Sequence, residues 1–205
     1  HFWTTTFSHE TRHKTKKRHI CMLVYSFYES DNRVMRYAET LARRGDEVDV
    51  VALKKAAPAA YEEIRGVNVF RIQKRLVDEK GRFSYLMKLI KFFINSAVFV
   101  TREHRKKPYD LIHVHSVPDF EVFATLFSKL RGTKIILDIH DLVPEFYVSK
   151  FKEQNESILF KALVAIEKAS INFSDHVIIS NHIWQKKLLS RSVNDNKCSV
   201  ILNYP

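Results

Sequence analysis

The run Asp138-Ile139-His140-Asp141-Leu142-Val143-Pro144-Glu145 sets a histidine at the end of an apolar stretch, with carboxylates and a proline directly after it. A histidine in such a place can donate to a substrate oxygen or take a hydroxyl proton near neutral pH. Three other apolar runs also stop in polar residues. Ile20–Tyr25 leads into Ser26, Asp31 and Asn32, Leu111–Val114 into His115, Ser116 and Asp119, and His176–Ile179 into Ser180, Asn181 and His182. Ligands of an open parallel sheet bind beyond the carboxyl ends of its strands, so these clusters point to one cleft. The candidate side chains are His140 for catalysis, with Ser26, Asp31, Arg33, His115, Asp119, Asp141, Glu145 and Asn181 for substrate binding.

Two of these clusters admit more than one chemistry. The loop Ser26–Arg33 stands where a dinucleotide site carries its glycine turn, yet it holds no glycine, which argues against an NAD or FAD site. Asp31 or Asn32 can cap the helix that follows. Arg33 opposes the dipole at that helix start and can serve an anionic ligand or simply lie exposed. His113 and His115, at i and i+2, share one face of a strand and with Asp119 can form a metal pair plus carboxylate. Alternatively, His113 is packed in the sheet and His115 lies at its mouth.

Positioning these groups requires alternating strands and helices. The patterning predicts strands near 20–25, 48–53, 67–72, 110–115, 134–139, 176–180 and 198–202. Helices are predicted near 32–44, 83–105, 119–131, 155–172 and 181–190, with Gly45 closing the first. Segments 54–66 and 141–155 read as loops. The order describes an α/β fold with a doubly wound, mainly parallel sheet and helices on both faces. Residues 83–105 form an amphipathic helix, with Leu86, Leu89, Ile90, Phe93, Ile94 and Ala97 opposite Lys88, Lys91 and Asn95. Its lysines make it a poor membrane span, leaving a core-packed helix or one lying on a membrane surface.

The net charge of +11 favours anionic partners, whether lipid headgroups, phosphate-bearing substrates or nucleic acid. The basic residues are scattered and no motif organises them for nucleic acid. Residues 1–18 lack the apolar core of a signal peptide and read as a tail or remnant preceding a domain at 19–205. Cys21 and Cys198 sit in apolar strands, as buried thiols of a reducing compartment do.

Five segments in order resemble the amino-terminal half of family 4 glycosyltransferases. They are Asp31–Val34, Ala38–Val51, Tyr109–His115, Asp138–Glu145 and Val200–Asn203. The resemblance spans roughly residues 20–205 and implies one Rossmann-like half of a GT-B fold. It further implies retaining transfer of a sugar from a nucleotide-sugar donor to a glycolipid or polysaccharide acceptor, without a metal or other cofactor. This half would bind the acceptor, and a carboxyl-terminal half, outside this sequence, would bind most of the donor. His140 matches the histidine that contacts the transferred sugar, and Arg33 matches the arginine of the family's D-x-R motif. A cytoplasmic setting, peripheral on the inner membrane face, suits many relatives. The family's glycine pair after the first strand is absent. Glu39/Glu47 and Glu145/Glu153 have the spacing of the donor-gripping E-x7-E element but not its context. The 205 residues alone are therefore expected not to turn over. Two other classes remain: a non-catalytic basic binding module, and a metal-dependent hydrolase built on His113 and His115.

Overall fold

The computed structural model describes residues 16–55, 59–74, 82–116, 118–151 and 157–203. Within them lies one sheet of eight strands: β1 His19–Val24, β2 Glu47–Lys54, β3 Tyr61–Ile64, β4 Val67–Lys74, β5 Leu111–His115, β6 Lys134–Ile139, β7 His176–Ile179 and β8 Cys198–Val200. The spatial order is β3-β4-β2-β1-β5-β6-β7-β8. All neighbours are parallel except β3 and β4. The chain builds outward from β1 to β4, then returns to β5 and builds the other way. The strand order therefore reverses between β1 and β5, where such sheets hold their ligands.

The helices are α1 Asn32–Arg44, α2 Arg82–Lys106, α3 Leu126–Leu130, α4 Val143–Phe151, α5 Ile158–Phe173 and α6 His182–Leu189. Successive strand residues serve opposite faces. Cys21 and Leu23 join the core shared with Leu89, Phe92, Ile171 and Leu188, while Met22 and Val24 pack with Val34 and Ala38 of α1. Burial on both faces explains why β1 and β2 are nearly continuous apolar runs. Asp31 caps α1 by accepting the Val34 amide at 3.2 Å, and Gly45 ends it at φ +100°. Cys21 and Cys198 are both buried free thiols.

The structure corrects four expectations. Segment 54–66 contains β3, paired antiparallel to β4 through a tight turn in which Arg65 (φ 50°) and Gly66 (φ 80°) both take left-handed backbone. Tyr61, Glu62 and Glu63 are exposed, so no apolar alternation marks the strand. Segment 141–155 contains α4. The stretch 119–131 is a 3-10 helix over Asp119–Thr125 followed by the short α3. On α2 the inward face is Leu89, Phe92, Ser96, Phe99 and Val100, while Leu86 and Ile94 stay exposed. Most of the expected tail, residues 1–15, lies outside the described residues, as does Pro58 of the first loop. Within 16–18, the Arg18 amide donates to Asp46 at 3.0 Å.

One buried acid is poorly served. Glu121 is 1% exposed, and neither of its carboxylate oxygens meets a hydrogen-bonding partner among the described residues. Burial pushes it up to about 8, against a weaker opposing pull from Ser96 of α2. An acid raised on folding binds a proton that the unfolded chain has released, so stability falls as pH rises between the two values. The Glu121 contribution should decline by something on the order of 4 kcal/mol between about pH 5 and pH 8. Glu121→Gln is expected to flatten that decline and to exceed the parent's urea midpoint above pH 8. An unchanged slope in the variant would assign the pH dependence elsewhere.

Candidate active site

The site is built around a carboxylate in the middle of the sheet. Asp138 interrupts the apolar run of β6, between Leu137 and Ile139, with no exposed surface, and the register sets it directly beside His115 of β5. A lone buried carboxylate is very costly, so it must be paired. Arg33, from the first turn of α1, donates from Nε and Nη2 to the two Asp138 oxygens at 2.9 and 2.8 Å. Its third arm, Nη1, donates to the Ile201 carbonyl at 2.9 Å.

Three histidines surround the same carboxylate. His115 Nδ1 lies 3.4 Å from Asp138 Oδ2, His113 Nε2 3.5 Å and His140 Nε2 3.7 Å. These separations suit charge attraction better than tight hydrogen bonds. The His113 and His115 rings stack at 4.2 Å between centroids, and Tyr37 of α1 covers both. Burial alone would raise the Asp138 carboxyl, but His113, His115 and His140 together hold it well below the usual carboxylate range. Burial, aided by neighbouring His113, pushes His115 down to about 4 despite the opposing pull of Asp138. At neutral pH the centre is therefore a guanidinium–carboxylate pair beside a neutral His115.

That neutrality shapes the hydrogen-bond chain. A neutral imidazole carries one ring hydrogen. On His115 Nδ1 it faces both Asp138 and, at 3.3 Å, His140 Nε2. His115 Nε2 meets no hydrogen-bonding partner among the described residues. His140 Nε2 is the acceptor in that arrangement. The His140 side chain is 23% exposed, the outermost of the three histidines, and Ser180 Oγ anchors its backbone by donating to the His140 carbonyl at 2.8 Å. It lines a cleft of about 500 Å³ with Asp141, Ser180, Asn181, Trp184, Leu202 and Asn203. A second cavity, of about 420 Å³, opens among Lys16, Arg18, Ile20, Leu41, Arg44 and Leu111 and holds neither a histidine nor a carboxylate.

The structure gathers some candidate residues and separates others. His140, Asp141 and Asn181 share the cleft, with His115 and Arg33 directly behind it. Arg33 is buried in the sheet rather than exposed at a helix start, with its guanidinium committed to Asp138 and Ile201. Ser26 donates to Asp31 at 2.9 Å, so this pair shapes the first loop and the start of α1. Asn181 caps α6 by accepting the Trp184 amide at 2.8 Å. Asp119 is buried, accepts from Ser116 Oγ at 2.6 Å, and is raised to about 6 by burial. Glu145 receives Arg191 Nη2 at 2.9 Å and Lys187 at 2.9 Å, and Arg191 also holds Glu167, so this acid ties α4 to α5 and α6.

A histidine–carboxylate cluster suited to a metal does exist among the described residues, but its acid is Asp138 in place of Asp119. One ligand atom from each of His113, His115 and Asp138 falls within 4.8 Å of the others. The Arg33 guanidinium already occupies both oxygens of that carboxylate, and a divalent cation there would have to displace it or sit against its charge. The cluster fits a cationic side chain better than an ion. Sequence reading passed over Asp138 and Tyr37 as site residues. An acid inside Ile135-Ile136-Leu137-Asp138-Ile139 was the available signal, because such a residue is seldom buried unless paired.

Residues 30–203 match the profile of the glycosyl transferase 4-like domain. No curated protein matches the chain by sequence. Among solved structures, sucrose-phosphate synthase from Thermosynechococcus elongatus superposes with a TM-score of 0.67 at 18% identity, over 91% of this chain and 48% of that one. A glycosyltransferase from Rickettsia africae superposes at 0.54 and 14% identity, over 92% and 44% of the two chains. Anabaena HepE in complex with UDP-glucose superposes at 0.53 and 13% identity, over 91% and 44%. The chain thus spans about half the length of these proteins. At these identities the likeness shows the fold.

Breaking one partner of a buried ion pair costs about 3–5 kcal/mol, because the other charge stays buried. Arg33→Met and Asp138→Leu should each lower stability by roughly that amount, and the double variant should recover most of the loss. Urea unfolding of the three variants checks this, and additive losses would show that the pair is not coupled.

Proposed function

The chain belongs to the glycosyl transferase 4-like family, and from that premise we propose that it is the acceptor-side half of a retaining glycosyltransferase. The donor is a nucleotide sugar, and the acceptor a glycolipid or a growing polysaccharide at the cytoplasmic side of a membrane. The observation that carries this reading is His140, held at the cleft mouth by a buried Arg33–Asp138–His115 assembly at the carboxyl ends of the strands. The bound UDP-glucose of the HepE structure supports a nucleotide-sugar donor.

In this reading His140 binds rather than attacks. Its Nε2 is occupied by His115, so Nδ1–H is the group it offers to a hydroxyl or developing oxyanion of the transferred sugar. Asp138, whose Oδ2 lies 3.7 Å from Nε2, stabilises any positive charge that builds on His140. Arg33 keeps Asp138 ionised without exposing a charge to the cleft. Asp141, exposed at the rim, and Asn181 contact sugar hydroxyls in this reading, which their shared lining of the cleft supports. No step requires a metal. The donor's nucleotide is gripped by a second, carboxyl-terminal domain, so the 205 residues alone give no turnover.

His140→Ala in the two-domain enzyme is expected to lower kcat on the order of 100-fold or more with the thermal midpoint nearly unchanged, as for loss of one oxyanion donor. His115→Phe should produce a smaller loss, because it acts through His140. Nucleotide release in the presence of acceptor reads both. Wild-type turnover in His140→Ala would remove the residue from the mechanism.

A further inference from the structure

The cleft beside His140 is lined by residues of opposite character. Trp184 and Leu202 bring apolar surface, while Asp141 and Asn203 bring polar groups. Its volume of about 500 Å³ suits a small ligand, for which sites run roughly 300–1,000 Å³. Trp184 stands in the first turn of α6, half-buried, and packs against the larger core as well as lining the cleft. Asn181 fixes that turn by accepting the Trp184 amide at 2.8 Å. The polar groups keep capacity for a ligand. Asp141 is exposed and forms no ion pair among the described residues. Asn203 accepts from Arg36 at 3.1 Å through Oδ1, which leaves its Nδ2 hydrogens to donate.

Charge decides what kind of ligand the cleft takes. The chain carries a net charge of +11, yet among the described residues no lysine or arginine lines this cleft. Arg33 lies behind it, with its guanidinium committed to Asp138 and the Ile201 carbonyl. Asp141 at the rim repels an anion. The start of α6 attracts one, but Asn181 already occupies the Trp184 amide there. A phosphate or carboxylate therefore finds no lysine or arginine in the lining to pair with. A pyranose ring fits, because its C–H face is apolar and its hydroxyls stand around the edge. The negative face of an aromatic ring attracts such C–H groups. We propose that the cleft is a subsite for an uncharged pyranose, with Trp184 as the platform beneath the ring and Asp141 and Asn203 meeting its hydroxyls. This subsite rests on the transferase reading and adds to it that the bound ring itself is uncharged. An acceptor glycan and the transferred sugar of a donor both present such a ring.

The test uses the 205-residue chain with Trp3→Phe, which leaves Trp184 as its sole tryptophan. Its emission is followed as methyl glycosides of glucose, galactose, mannose and N-acetylglucosamine, inorganic phosphate or pyrophosphate are added. A saturable change is expected with at least one glycoside and with neither anion. By calorimetry, Trp184→Leu should weaken that binding about tenfold, while Trp184→Phe should retain most of it. Asp141→Ala, at an exposed position that leaves the core intact, should weaken it on the order of tenfold. Saturation-transfer NMR with UDP-glucose separates the two sources. Saturation of its glucose protons assigns the ring to the donor, and none, beside a responding glycoside, assigns it to the acceptor. No response to any glycoside overturns the proposal, as does a response that pyrophosphate reproduces or binding indifferent to Trp184→Leu. Sugar binding by a chain whose two-domain parent transfers nothing would keep the subsite and remove the transferase reading. Transfer by that parent with neither substrate's KM moved by Trp184→Leu would keep the reading and remove the subsite.

Discussion

A single buried carboxylate sets the terms for the rest of this domain. Asp138 sits in a strand with apolar residues on either side, and its ionisation is tolerable because Arg33 reaches it with two parallel hydrogen bonds and three histidines surround it. That demand fixes the position of α1 relative to β6, and with it Tyr37 over the histidine stack. The same carboxylate orients three imidazoles, of which only His140 meets the cleft. The packing of α1 and the setting of the cleft histidine therefore depend on one group.

The division of labour between the two sheet faces follows. On the face of α1, His113, His115 and Asp138 interrupt the apolar packing near the cleft. On the opposite face Ile112, Val114, Leu137 and Ile139 from the same strands belong to the larger core under α2, α5 and α6. Polar side chains thus gather on one side of β5 and β6 while the other stays apolar. A second polar fastener, at the far end of the strands, joins His19, Asp49 and Tyr109 and holds β1, β2 and the approach to β5 in register. Hydrogen bonds from His19, Asn68 and Tyr109 overcome the effect of burial and hold the Asp49 carboxyl below its ordinary value.

Much of this architecture was legible because parallel strands buried on both sides are long apolar runs, and because the first helix carries both its cap and its closing glycine. The cleft was legible at His140, Asp141 and Asn181 because residues at strand ends converge in any doubly wound sheet. Three kinds of feature were not. β3 is an exposed edge strand whose identity comes from its pairing and from a left-handed turn at Arg65, a residue that gives no turn signal. The commitments of Arg33 and Glu145 depend on partners 105 and 46 residues away, a distance over which residue types alone do not choose partners. The rotation of α2 was misjudged because apolar residues occur all round it, so periodicity alone could not say which of them face the sheet.

The third arm of Arg33 ends on the Ile201 carbonyl, and Arg36, one position along the helix stripe, reaches Asn203. Residues 201–203 also furnish a wall of the cleft through Leu202 and Asn203. One guanidinium therefore strings together the segment that leaves β8 and the carboxylate that aims the histidines. A displacement of that segment would register as tension on Asp138 as well as in the cleft wall. The width of the cleft and the aim of its histidine then behave as one mechanical variable.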